Sequence, residues 1–255
     1  MDGDDPIIVV EDLRKRYGDV QAVDGVSFQV KKGEVFALLG PNGSGKTTTV
    51  EIIEGMRTAD SGHATVAGID VGKDPRAVKH LIGVQLQSSA FFEHLQLHEL
   101  LRMLGSIYRA KVDPEPLLRT VDLWDRRSSS FRTLSGGQKQ RFSIAAALVN
   151  DPTVIFLDEP TTGLDPQARR LMWETISGWQ AEGRTIVLTT HYMEEAEELC
   201  DRVAVMDSGK IITLNSPDAL IEELIGRGFH RDHEVRAATL EDVFLDLTGR
   251  SLREF

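Results

Sequence analysis

Residues 40 to 47, Gly-Pro-Asn-Gly-Ser-Gly-Lys-Thr, hold three glycines, a lysine and a hydroxyl at the spacing G-x-x-x-x-G-K-[ST]. The chemistry this supports is polyphosphate binding. Glycines at 40, 43 and 45 let consecutive backbone N–H groups converge on an anion, and Lys46 supplies a point charge for the outer phosphates. The Thr47 hydroxyl is placed to bind Mg²⁺. Farther along stand Asp158 and Glu159, then His191, each at the end of an apolar run. An acid at such a position holds a metal or activates water.

These residues need elements that bring them to one place. Val35 to Leu39 reads as a buried strand running into the glycine turn, and a helix over 46 to 54, closed by Gly55, presents its positive end to the phosphates. Thr153 to Leu157 and Arg184 to Leu188 read as further buried strands. If parallel to the first, they deliver Asp158, Glu159 and His191 to the same carboxyl edge, where ligands of open α/β sheets bind. Ahead of the turn, 7 to 13 and 26 to 30 read as strands around Tyr17-Gly18-Asp19. Tyr17 suits either stacking on a purine or a plain edge-strand position. Short strands at 63 to 66 and 82 to 86 flank a helix over 74 to 80. The carboxyl-terminal part adds helix 166 to 180, strands at 202 to 206 and 210 to 214, and a helix from Pro217 to Ile225.

Between Gln87 and Asn150 the pattern turns helical, with segments predicted at 97 to 109, 114 to 124 and 137 to 149. This reads as a helical subdomain, about 88 to 150, inserted into an α/β core. Phe91 and Phe92 at its start suit the core, or a groove that receives a partner's helix. His94 and His98, with Glu99 beside them, have the spacing of two metal ligands on a helix, but no third is evident. The whole chain is 255 residues with net charge −11 and a single cysteine, Cys200. The acidic balance argues against general nucleic-acid binding, and one cysteine excludes an internal disulfide and fits a reducing cytosol. No apolar stretch approaches the roughly 18 to 20 residues of a membrane span, and the acidic amino terminus does not resemble a signal peptide, so a soluble, cytoplasmic protein is expected.

Immediately before the helix at 137 stands LSGGQ, Leu134 to Gln138. With GPNGSGKT, Gln87, VIFLDEP at 154 to 160, TGLD at 162 to 165 and His191 in that order, the chain resembles the ATP-binding subunit of an ABC transporter over about residues 7 to 225. The resemblance implies a P-loop NTPase core, mainly a parallel sheet flanked by helices, with an amino-terminal antiparallel β subdomain and the inserted helical subdomain. It implies ATP and Mg²⁺ as ligands. Tyr17 would stack on adenine, and Gly40, Pro41, Asn42, Gly43, Ser44, Gly45, Lys46, Thr47 and Thr48 would hold the phosphates. Thr47, Gln87 and Asp158 would serve the metal. Glu159 would be the catalytic base, with His191 at the γ-phosphate, Lys46 at the outer phosphates and Gln87 near the attacking water. A second subunit, in the simplest case an identical copy, would contribute Ser135, Gly136, Gly137, Gln138 and Asp165 across a head-to-tail interface. A separate membrane permease would hold the pair at the cytoplasmic face.

The closing segment, 238 to 255, is similar to that of drug-resistance and antibiotic-type exporters, after a short linker from 226. There 239 to 247 has the pattern of an amphipathic helix with Leu240, Val243, Phe244 and Leu247 on one face. Soluble ABC ATPases that act on nucleic acid or ribosomes carry two cassettes or long coiled coils, neither present here. Kinases and GTPases with the same loop have no use for LSGGQ.

Overall fold

The computed structural model of the chain describes residues 5–85, 91–229 and 240–248. Its centre is a six-stranded sheet built around β3 (Val35–Leu39), β7 (Val154–Asp158) and β8 (Thr185–Thr190), whose residues are buried throughout. Strands covered on both faces lose the alternation of half-exposed ones, which is why these segments read as continuous apolar runs. With β6 (Ile82–Gln85), β9 (Arg202–Asp207) and β10 (Lys210–Asn215) the order is β10-β9-β3-β8-β7-β6. Only β10 runs antiparallel to its neighbour.

The second sheet has four antiparallel strands in the order β2-β1-β4-β5, from β1 (Pro6–Tyr17), β2 (Val20–Lys31), β4 (Ser61–Val66) and β5 (Ile69–Asp70). It packs on one face of the central sheet. Successive residues of a strand face opposite ways, so Phe36 and Leu38 of β3 join a core with Ile8, Val10 and Phe28. Val35, Ala37 and Leu39 join a second core on the other side. Phe28 and Phe36 stack with centroids 5.1 Å apart. At the same seam Arg202 donates to Glu34, Nη2 to Oε2 at 2.8 Å.

Helix α1 (Lys46–Ile53) follows β3, and α2 (Pro75–Leu81) leads into β6. The inserted segment contains α3 (Leu97–Ile107), α4 (Pro114–Thr120) and α5 (Gly136–Ala147). All three end before the sequence pattern predicts, α3 and α4 short of 109 and 124 and α5 short of 149. Arg109 and Asp122 take left-handed backbone, φ 56° and 52°, directly beyond α3 and α4, and no helix continues through that conformation. Phe131 and Phe142 bind the segment to the second core together with Leu97, Leu100 and Leu101.

Helices α6 (Pro166–Ala181), α7 (Met193–Leu199) and α8 (Pro217–Gly226) complete the body. The carboxyl-terminal helix α9 (Leu240–Thr248) is present as its pattern predicts. Leu240, Val243 and Phe244 are buried in the second core and Leu247 is partly buried against it, while the Leu240 N–H donates to Glu197 Oε1 at 2.7 Å.

Candidate active site

Register places the site before any side chain is considered. In the parallel sheet Leu39 lies opposite Thr190, and Thr189 lies opposite Asp158. Gly40, His191 and Glu159 are each the next residue along, so all three leave the same carboxyl edge. The glycine loop is seated against both sheets. A Cβ at Gly40 would stand 2.2 Å from the Met206 carbonyl oxygen, and one at Gly45, where φ is 100°, would stand 2.3 Å from that of Ala22. The cradle therefore admits no side chain at either position. Gly209 N–H donates to Ser44 O at 3.0 Å, fixing the loop to the β9–β10 turn.

Inside the cradle Lys46 is 5% exposed, and its ammonium donates to the carbonyls of Gly40 and Pro41 at 2.7 and 2.9 Å. Burial lowers its pKa, and the charges of Glu159 and Asp158 oppose that shift. The Ser44 hydroxyl is buried in the same loop with no hydrogen-bond partner, a donor that a phosphate oxygen would satisfy. Thr47 is exposed at the start of α1.

The acids stand opposite the cradle. Asp158 is nearly buried and accepts a hydrogen bond from the Thr189 hydroxyl. Burial raises its pKa, the Thr189 bond works against this, and the charge of Glu159 adds to it. Glu159 has left-handed backbone, φ 50°, a conformation costing a non-glycine residue of the order of 1 kcal/mol or more. Its N–H is held by the Thr189 carbonyl and hydroxyl oxygens at 3.1 and 3.2 Å. Its carboxylate accepts from the Thr162 hydroxyl at 3.2 Å and lies 3.1 Å from His191 Nδ1. The strained turn thus points one carboxylate away from the strand and ties it to the histidine.

The second feature singled out by the sequence is the start of α5. Ser135 caps α5, accepting from the Gln138 N–H at 3.3 Å while Gln138 Oε1 accepts from the Ser135 N–H at 3.0 Å. This reciprocal cap fixes the positive end of a twelve-residue helix. Its neighbours are the loop after Glu159: Gln140 donates to Pro160 O at 3.3 Å, and a Cβ at Gly137 would meet Leu164 at 3.3 Å. Asp165 caps α6, accepting from the N–H groups of Gln167 and Ala168 at 3.0 and 2.9 Å.

Residues 23–162, which span the glycine loop, the capped Ser-Gly-Gly turn and the paired acids, match the ABC transporter family. The chain belongs to that family. It is 39% identical to the Nod factor export ATP-binding protein I of Burkholderia orbicola (strain AU 1054), over 95% of this chain and 97% of that one. To the linearmycin resistance ATP-binding protein LnrL of Bacillus subtilis (strain 168) it is 40% identical, over 86% and 72%. A solved ATP-binding subunit of an ABC transporter superposes with a TM-score of 0.82 at 29% identity, covering 95% of this chain and 99% of the other. The protein is thus the nucleotide-binding, ATP-hydrolysing subunit of an ABC transporter.

In this ABC ATPase Gly40, Asp158, Glu159 and His191 share one edge of the sheet, and other predicted site residues stand elsewhere. Gln87 lies outside the described residues. Tyr17 ends β1 half-exposed, with Arg57 and Lys15 5.6 and 5.7 Å from its ring centre. The histidine pair forms no metal site: His98 Nδ1 lies 2.9 Å from the Arg127 carbonyl oxygen, and Glu99 accepts from the Gln96 N–H at 2.9 Å as part of the helix start. Among the described residues no group of three or more histidines, cysteines and acids could hold a metal. Phe91 packs on Phe131 and Phe142, centroids 4.9 and 5.2 Å away, whereas Phe92 is exposed.

Two contributors escape the sequence reading. Thr189 positions both acids, and nothing in the sequence sets it apart from Thr185 and Thr190 of the same strand. Glu54 is 2% exposed at the end of α1, and its carboxyl is pushed up to about 8, first by burial and then by the charges of Asp158 and Glu51. Between roughly 4.5 and 8 the folded chain keeps a proton there that the unfolded chain releases, so stability falls as pH rises through that window. The penalty is absent below it and reaches up to about 5 kcal/mol above it. We expect Glu54→Gln to gain stability over the native chain progressively from pH 5 to 8.5 in denaturant titrations. A difference independent of pH would contradict the assignment.

Proposed function

We propose that this ABC ATPase drives an exporter, with two identical copies closing head to tail on two ATP molecules and passing the closure to a separate membrane subunit. The observation that supports the dimer is that the two candidate phosphate-binding features are held by different parts of the chain. The glycine cradle is anchored to Ala22, Met206 and Gly209, whereas the capped start of α5 is anchored to Pro160 and Leu164. A second copy brings the Ser135–Gln138 turn, with Asp165 nearby, onto the far side of the γ-phosphate. There a helix start with hydroxyl and glycine N–H donors makes an opposing anion clamp.

Within each half-site Gly40 to Thr48 wrap the phosphates, and the Lys46 ammonium exchanges its two carbonyl partners for outer phosphate oxygens. Tyr17 offers its ring to the adenine. Thr47 and Asp158 would hold Mg²⁺, which neutralises phosphate charge when bound. One hydroxyl and one carboxylate suit an ion that keeps phosphate oxygens and water as its remaining ligands. Glu159 accepts the proton of the attacking water as the water oxygen bonds to the γ-phosphorus and the bond to the ADP oxygen breaks. His191, beside that carboxylate, steadies it and faces the γ-phosphate. Gln87 is assigned to the metal and the water on family resemblance alone.

Export is supported by the relatives' names, which carry Nod factor export and linearmycin resistance. No described helix is long and apolar enough to cross a membrane, so the transport path belongs to the partner, with the ATPase docked on its cytoplasmic face. The docking surface we assign is the cleft between the core and the inserted helices, a cavity of about 380 Å³. Sedimentation of Glu159→Gln with ATP and Mg²⁺ tests the sandwich: a dimer is expected, dissociating when the nucleotide is removed. A species that stays monomeric at high concentration would sink it.

A further inference from the structure

Glu195, in α7, is a buried acid to which the proposed reaction gives no part. It is 0% exposed, and both of its carboxylate oxygens are shut off from solvent. So are the Thr161 hydroxyl, the Trp173 indole nitrogen and Arg169 Nε, and outside this group none of these atoms has a hydrogen-bond partner among the described residues. Thr190, Thr161 and Trp173 are the neutral donors around the carboxylate, and Arg169 supplies the facing charge. Thr190 Oγ1 already accepts from the Tyr192 N–H at 3.0 Å, which leaves its own proton for the acid. An ionised carboxylate only accepts, and has about four lone-pair sites, so the surrounding donors match it in kind and in number. Burial raises the pKa of Glu195, while those donors and the charge of Arg169 work against the shift. A charge so deeply buried needs partners of this sort to offset its lost hydration.

The donors come from segments that the reaction needs in register. Thr161 lies two residues beyond Glu159, in the loop that runs to Asp165, and Thr190 directly precedes His191. Arg169 and Trp173 are four apart on α6 and share one face of it. A second route to the histidine runs through rings. The Arg169 guanidinium carbon lies 5.3 Å from the Tyr192 ring centre, and that ring lies 4.1 Å from the His191 ring. Glu195 therefore stands behind the 3.1 Å contact of His191 with Glu159. It reaches the histidine through Thr190 and through the Arg169–Tyr192 stack, and the loop of the base through Thr161.

We propose that Glu195 is a positioning residue for hydrolysis, whose carboxylate fastens the His191 turn to the loop following Glu159 and so sets the histidine against the base. This rests on the roles given above to Glu159 and His191, and adds the group that fixes their spacing. Acceptor character and charge, rather than size, are what the position requires. Glu195→Gln keeps the volume but turns amide N–H groups toward other donors, leaving donors unmet and Arg169 uncompensated.

The test is ATP hydrolysis and ATP titration of the full-length chain in four forms: native, Glu195→Gln, His191→Ala and the double variant. Glu195→Gln is expected to lower kcat by at least about tenfold while the ATP dissociation constant stays within about twofold, because the misplacement is confined to the reacting end. In the His191→Ala background the same change is expected to lower kcat by less than about threefold, since a residue acting through His191 has nothing left to place. A purely structural role would cause the same loss in both backgrounds. Should Glu195→Gln fail to fold, Trp173→Phe removes one donor but keeps a ring. It then carries the comparison, with an expected loss of about fivefold that disappears beside His191→Ala. Native turnover in the variant that folds, or an equal loss in both backgrounds, overturns the inference and leaves the roles of Glu159 and His191 standing. Native turnover in His191→Ala overturns the role of the histidine, and the inference with it.

Discussion

Replacing Glu159 by Gln is expected to cut ATP turnover by at least about a hundredfold while leaving ATP affinity intact or slightly improved. The amide has the shape of the carboxylate and still accepts from the Thr162 hydroxyl, so the left-handed turn held by Thr189 remains. What disappears is the oxygen able to take a proton from water. One negative charge facing the triphosphate disappears with it, which is why binding does not suffer. Phosphate release and nucleotide titration, run side by side, check both halves of the expectation. Turnover within a few-fold of the native rate would remove Glu159 as the base.

Lys46→Ala is expected to have the opposite profile, weakening ATP binding by about a hundredfold, close to 3 kcal/mol. The ammonium is buried in the glycine cradle with Asp158 and Glu159 facing it. Once it is removed, those acids confront the polyphosphate without the ammonium between them. The fold should persist, because the Gly209 N–H bond to Ser44 O and the close seating of Gly40 and Gly45 against the Met206 and Ala22 carbonyls remain when the two lysine bonds are lost. Calorimetric titration of a variant with an unchanged melting temperature separates the two effects. An unaltered dissociation constant would falsify the role of Lys46.

Most of this architecture is written in local patterns. The buried strands announce themselves as short aliphatic runs, and each ends in the residue that matters, so Gly40, Glu159 and His191 are legible together once the strands are taken as parallel. The helix at Leu240 is equally plain from its apolar face. The shortened α3 and α4 are not, because Arg109 and Asp122 carry no glycine-like signal for left-handed backbone. Nor is the cleft around Glu54. Residues 54, 84 and 104 meet only through the tertiary packing of three elements, and a glutamate in helix 46 to 54 reads as one more solvated acid until its burial is known. Contacts between distant segments leave no periodic trace. Thr189 was hidden for a related reason, since a threonine suits a strand whether or not its hydroxyl is used.

The seating of the glycine loop has a consequence for nucleotide choice. Ser44 is bonded to the β9–β10 turn, and Gly40 and Gly45 sit close against carbonyls from both sheets, so the loop proposed for the phosphates is braced by backbone from both sides. The ring assigned to the base is a half-exposed tyrosine at a hairpin end. Discrimination should therefore be steep along the phosphate chain, separating triphosphate from monophosphate, and shallow between purines, leaving GTP a serviceable fuel.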